Sequence, residues 1–198
     1  MIDERSRLSG EAYEVAPMLL GWTISHRSDA GTVTVALTEV EAYAGESDPA
    51  SHAYRGRSPR NSVMFGPAGF LYCYFTYGMH WCCNVVTGPD GKASAVLLRA
   101  GRVVEGVDLA RTRRGERVSE LSLARGPANL AQALGLGREQ NGADLLSGGT
   151  VSLSPGSVSG QVSSGPRVGI SVAHETPWRF WLTGEPSVSA YKRSPKAM

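Results

Sequence analysis

The chain's 198 residues, 41% of them hydrophobic, suffice for one domain with a substantial core, and no apolar run is long enough to span a membrane. Its 20 basic and 18 acidic residues leave a net charge of +2, which alone does not single out a nucleic-acid partner. Three cysteines, two of them adjacent, offer neither a disulfide framework nor zinc spacing, and the charged start Met1-Ile2-Asp3-Glu4-Arg5 lacks an apolar signal core, as expected of a cytoplasmic protein. In chain order, Glu11 to Leu20 reads as a short helix stopped at Gly21. Thr32 to Glu41 alternates as a strand: Val33, Val35 and Leu37 share a face, and Glu39, Glu41 and Tyr43 continue that parity, so two carboxylates are expected to follow the apolar face inward. Residues 46–69 form a polar, Gly- and Pro-punctuated loop of a length usually kept for function. Phe70 to Tyr77 is a β-favouring aromatic run broken by Gly78, which puts Tyr77 at a strand end or turn tip. Asn84–Thr87 and Ala95–Ala100 pair as a hairpin around Gly88-Pro89-Asp90-Gly91. Glu105–Arg114 is a candidate helix, and Gly126-Pro127 opens another that stops at Gly135 or Gly137. Short strands are expected between Gly148 and Gly165, then at Arg167–Ala173 and Trp178–Leu182, with about 187–198 as a tail. No internal repeat or linker interrupts this single α+β domain, 1–198.

The chemistry concentrates between Glu39 and Arg99. A strand that aims acids inward is unusual, because burying an unpaired charge is costly, and it marks a site at the strand's end. A carboxylate can stabilise an oxocarbenium-like state or activate water against a glycosidic bond; Glu41 is the preferred residue and Glu39 its rival. Aromatic faces hold an unstacked base, a task suited to Tyr43 and Tyr74, and Tyr77 beside Gly78 suits a wedge pushed into a duplex. Arg55, Arg57 and Arg60 form an acid-free cluster fit for phosphates, and Arg111, Arg113 and Arg114 a second that reads equally as solvated surface. His52 can face a base edge or satisfy a loop backbone group, and no metal-ligand spacing joins it to His26, His80 or His174.

These segments resemble the alkyladenine (3-methyladenine) DNA glycosylase family, the type first known from mammals and also found in bacteria. The resemblance lies in Glu39-Val40-Glu41-Ala42-Tyr43, Ser51-His52, Pro59-Arg60-Asn61 with Met64-Phe65, Tyr72 to Met79, Asn84 and Leu97-Leu98-Arg99-Ala100. Weaker echoes follow in Gly126-Pro127, Leu130, Ala133-Leu134 and Arg167-Val168-Gly169-Ile170. The resemblance implies that Glu41 activates the attacking water and Arg99 helps hold it. It implies that Tyr43, His52 and Tyr74 contact the flipped base, that Tyr77 intercalates, and that Asn84 crowds the exocyclic amine of guanine. It further implies a mixed α/β domain around a curved antiparallel sheet flanked by helices. Its substrate would be double-stranded DNA carrying damaged purines, bound by a monomer in the cytoplasm at the nucleoid, with no cofactor, no metal and no membrane. No lysine lies between Glu41 and Asn84, so a Schiff-base lyase step is not expected and the enzyme reads as a monofunctional hydrolase. Three further readings stand beside it: a non-catalytic lesion-binding module, a metal-dependent nuclease using Glu39, Glu41, Asp48 and His52, and an RNA-binding protein whose pocket reads bases without cutting.

Overall fold

The computed structural model describes residues 3–158 and 160–197. Two short helices lead: α1 (Glu4–Leu8), capped by the Asp3 carboxylate on the Ser6 N–H, and α2 (Ala12–Met18), which buries Ala12, Val15 and Ala16. They precede the hairpin of β1 (Thr23–Ser28) and β2 (Gly31–Tyr43). After the long loop come β3 (Leu71–Thr76), β4 (His80–Val86) and β5 (Ala95–Glu105), then α3 (Val107–Arg114), β6 (Ala124–Arg125) and α4 (Pro127–Leu134). The chain closes with β7 (Val151–Ser154), β8 (Val162–Gly165) and β9 (Arg179–Leu182). Among the described residues, nine strands join one open antiparallel sheet with the path β3-β4-β5-β2-β1-β7. β6 is added to β5, and β9 lies beside β2 and carries β8.

The architecture is thus a single α+β domain, as the sequence predicts. α2, α3 and α4 cover one face of the sheet, where Trp22, Ile24, Leu37, Leu98, Leu130 and Leu134 form the main core. Each such fully buried side chain contributes about 1.5–3 kcal/mol. α4 begins at Pro127, whose ring pre-sets the first turn, and ends at Gly135, as expected. α3 starts two residues later than predicted, because β5 runs to Glu105 and Gly106 makes the turn at φ +74° against the Thr32 carbonyl. The three cysteines are free and buried.

Three expectations are corrected. Glu39, Glu41 and Tyr43 do not continue the face of Val33, Val35 and Leu37; the core face continues instead through Val40 and Ala42. The cause is a pair of one-residue bulges. Leu37 pairs with Gly101 but Glu39 with Ala100, leaving Thr38 extra on β2; Val40 then pairs with Leu98, leaving Arg99 extra on β5. A one-residue insertion moves every later side chain to the other face. The two acids are fully buried nonetheless, under β9 and the segments around it.

Arg167–Ala173 forms no strand. Its first residues turn inward to the acids, the Arg167 side chain to Asp48 and the Val168 N–H to Glu41, and Gly169 and Ala173 adopt positive φ. The stretch from about 187 is not a free tail where it begins: Ser187 is fully buried and its hydroxyl meets that of Thr38 at 2.9 Å.

Candidate active site

The face opposite the main core carries one register row across four strands. Glu41 on β2 pairs with Leu97 on β5, Leu97 with Asn84 on β4, and Asn84 with Tyr72 on β3. Tyr43 and Tyr74 lie two residues along, on the same face by the period of two. Above the row is a cavity of about 250 Å³ walled by Tyr43, His52, Tyr72, Tyr74, Asn84 and Arg99, with Val168 and Ile170 from the late loop. Small-ligand pockets run from about 300 Å³ upward, so this one suits a single planar ring system.

The bulged Arg99 separates the two acids. Its Nε donates to Glu39 at 2.8 Å and one terminal nitrogen to Glu41 at 3.3 Å. Glu39 also accepts from Arg179 Nε at 2.7 Å and from the Ser189 N–H and hydroxyl at 2.7 and 2.9 Å. Its carboxylate is enclosed by these donors. Burial alone would raise the Glu39 pKa; Arg99, Arg179 and the Ser189 bonds outweigh it and hold the carboxyl below its ordinary value. Glu41 differs. Its partners are the Tyr43 hydroxyl at 3.0 Å, Arg99, and the Val168 N–H at 2.7 Å, all three from residues that line the cavity. Burial, then the Glu41 charge, pushes the Tyr43 phenol far above its usual range, which keeps its proton in place as a donor.

Tyr43 is itself braced. Arg167 lies over its ring at 4.7 Å and over the Trp178 ring at 5.3 Å, and Trp178 stacks on Tyr13 of α2 with centroids 5.6 Å apart. The Arg167 guanidinium pairs with Asp48 and donates to the Ala42 carbonyl at 2.9 Å. Across the cavity, the His52 ring stands edge-on to Tyr74 with centroids 4.4 Å apart, and its Nδ1 lies 3.3 Å from the Tyr72 hydroxyl. Packing against these tyrosines, then the Arg60 charge, lowers the His52 pKa, so its imidazole is neutral at neutral pH. Burial pushes the Tyr72 phenol up to about 12. Asn61 explains how a long loop holds a side chain so firmly. Its buried amide donates to the His52 and Gly56 carbonyls, both at 3.0 Å, and accepts from the Ser58 N–H at 2.7 Å. Gly45, at φ +60°, ends the strand run against the Ala93 carbonyl, where a Cβ would come within 1.9 Å.

Tyr77 tips the β3–β4 hairpin at the cavity's rim, 85% exposed at φ +52°, beside the exposed Met79. Arg55, Arg57 and Arg60 are all exposed on the loop, and Arg60 donates to the Phe75 carbonyl at 3.2 Å, tying loop to hairpin. The second arginine cluster is engaged within the protein. Arg111 pairs with Asp108, Arg113 donates to the Ala133 carbonyl and Ser28, and Arg114 to the Leu123 carbonyl and Gln132.

The structure therefore gathers Arg99, Tyr43, His52, Tyr74 and Asn84 around one cavity with Tyr77 at its rim, and sets Glu41 directly behind the wall, bonded to Tyr43, Arg99 and Val168. It adds Tyr72, Arg167, Val168 and Asn61, which carry no role in the sequence reading. Tyr72 could have been found from its two-residue spacing to Tyr74; Asn61 ties together its own loop, and Arg167 and Val168 act through contacts distant in sequence. Among the described residues, no three His, Cys, Asp or Glu side chains converge as a metal site. Asp48 and Glu39, two of the four nuclease candidates, are each taken up by arginines.

The methylpurine-DNA glycosylase family model matches residues 6–186. A protein of Leifsonia xyli, provisionally named 3-methyladenine DNA glycosylase, is 52% identical, covering 96% of this chain and 93% of its own. Proteins with the same provisional name from Nocardia farcinica and Streptomyces avermitilis are 50% and 51% identical. They cover 92% and 90% of this chain, and 88% and 86% of their own. With that match running almost from end to end, the chain belongs to the methylpurine-DNA glycosylase family of DNA-repair enzymes.

Proposed function

We propose that the protein removes alkylated and deaminated purines from double-stranded DNA by hydrolysing the N-glycosidic bond of a flipped-out nucleotide. The substrates are 3-methyladenine, 7-methylguanine, hypoxanthine and ethenoadenine. The observation that carries the reading is the division of labour between the acids. Glu39 is sealed by arginines and Ser189, whereas every partner of Glu41 is a cavity-wall residue.

Glu41 takes a proton from water as its oxygen attacks C1′, and the C1′–N bond breaks with its electron pair leaving on the base. Arg99 orients that water and the carboxylate together. The developing positive charge on the sugar is stabilised by the carboxylate. Tyr43 and Tyr74 stack on the base, each such contact contributing about 1–3 kcal/mol, while His52 faces its edge. Asn84, held by its bond to the Tyr72 carbonyl at 3.0 Å, crowds the exocyclic amine of guanine. Tyr77 fills the gap left in the duplex, and Arg55, Arg57 and Arg60 hold phosphates. A base alkylated at a ring nitrogen leaves as a neutral product, whereas hypoxanthine and ethenoadenine leave as anions unless protonated. Among the described residues no lysine lines the cavity, which favours a monofunctional enzyme that leaves an abasic site intact.

Single-turnover excision from a duplex carrying one ethenoadenine or hypoxanthine, run in chelator, tests this. Wild type is expected to release the base without nicking the strand. Glu41→Gln is expected to bind the lesion and slow release by at least about 100-fold, the low end for a general base. Release by Glu41→Gln at the wild-type rate would remove Glu41 from the mechanism. Lesion binding without release by wild type, repeated on 3-methyladenine, would make the protein a binding module.

A further inference from the structure

The family match ends at residue 186, yet the chain just beyond it reaches the acids. Ser189 uses every polar group it has. Its N–H and hydroxyl donate to Glu39 at 2.7 and 2.9 Å, and its hydroxyl oxygen accepts from Arg99 at 3.3 Å. Its carbonyl accepts from Arg179 at 2.7 Å. The residues before it are anchored in turn. Ser187 is buried against Thr38, Glu185 accepts from the Ser187 N–H at 3.2 Å, and Arg125 donates to the Pro186 carbonyl. Arg99 is the bulged residue of β5, so its strand neighbours do not fix its direction; its guanidinium is aimed by Glu39, Glu41 and Ser189.

We propose that Ser189 is a positioning residue for the glycosylase reaction, the point at which the segment after β9 locks the Glu39–Arg99 pair so that Arg99 meets Glu41. The inference rests on the function proposed above. It gives Glu39 a role distinct from catalysis: the anion through which Ser189 acts on Arg99. The hydroxyl is the working group, since it alone touches both Glu39 and Arg99.

The test compares wild type, Ser189→Ala and Ser189→Thr, each as the full chain, by single-turnover excision, lesion-DNA affinity and thermal unfolding. Ser189→Ala is expected to slow excision, by up to about 100-fold for a displaced catalytic group, with lesion affinity unchanged. Ser189→Thr, which keeps the hydroxyl, is expected to excise at the wild-type rate. Should Ser189→Ala fail to fold, Ser189→Cys keeps the size and weakens the donor, and slow excision by Cys beside fast excision by Thr supports the same conclusion. Excision by Ser189→Ala, or by Ser189→Cys, as fast as wild type would overturn the proposal. So would a loss of rate matched by an equal loss of lesion affinity and stability, which is a structural role only. A wild type that releases no base overturns the functional reading and this inference with it, and that result is distinguishable because it precedes any comparison of variants.

Discussion

Tyr77 holds a left-handed backbone, φ +52°, with most of its ring in solvent. That conformation costs an ordinary residue about 1–2 kcal/mol, and asparagine tolerates it far better. Nothing the ring touches in the free protein offsets the strain, so its worth lies in the complex. Tyr77→Asn is therefore expected to unfold at a temperature a few degrees higher, at about 2–4 °C per kcal/mol, and to lose excision from duplex DNA. Thermal unfolding and single-turnover assays on one preparation check both parts. A variant that is less stable would show that the ring supports the hairpin, and one that excises normally would deny it the wedge role.

At the scale of elements, the meeting of β2, β5 and β9 at Glu39 is the most charged interior of the protein. The folded-state pKa of Glu39 lies below its unfolded value near 4.5, because Arg99, Arg179 and Ser189 overcome burial. Its contribution is complete above about pH 4.5 and is lost as the pH falls through the lowered folded value. Glu39→Gln is expected to cost about 3–5 kcal/mol at neutral pH by leaving the buried Arg179 guanidinium without its anion and Arg99 with Glu41 alone. It should also flatten the acid limb of stability. Urea unfolding across pH 3–7 measures both, and an acid limb as steep as wild type would place the titrating group elsewhere.

The same junction shows where sequence reading stops. The strand over Thr32–Glu41, the Gly126-Pro127 helix start and the aromatic hairpin strand were legible, because period-two alternation and glycine or proline punctuation are local. The residues alone made Glu41 the preferred acid with Glu39 its rival, and no local pattern separates the two. The bulges at Thr38 and Arg99 leave no compositional trace, and the partners that distinguish the acids, Val168 and Ser189, lie more than a hundred residues away. Arg167–Ala173 looks like a strand because its branched residues favour one; instead the Val168 N–H is taken by Glu41 and the Arg167 side chain by Asp48.

For the molecule as a whole, a net charge of +2 hides an uneven surface. The 111–114 arginines are committed to partners within the protein, while Arg55, Arg57 and Arg60 remain exposed on the long loop that carries His52. Each phosphate contact removed should lower the slope of log affinity against log salt by roughly 0.9. The double variant Arg55→Ala, Arg57→Ala is thus expected to bind DNA more weakly with a slope reduced by roughly 2, read from fluorescence anisotropy over a salt series. An unchanged slope would move the phosphate contacts off this loop. The paired bulges carry a final consequence for how this protein can change. The extra residue on β2 is compensated by an extra residue on β5, and that second residue is Arg99. Deleting Thr38 would throw both acids into the hydrocarbon interior; deleting Arg99 as well would mend the pairing register but would neither return the acids to their face nor leave them their arginine. A loss at this crossing therefore has no matching loss that repairs it, and the irregularity and the chemistry stand or fall as one character.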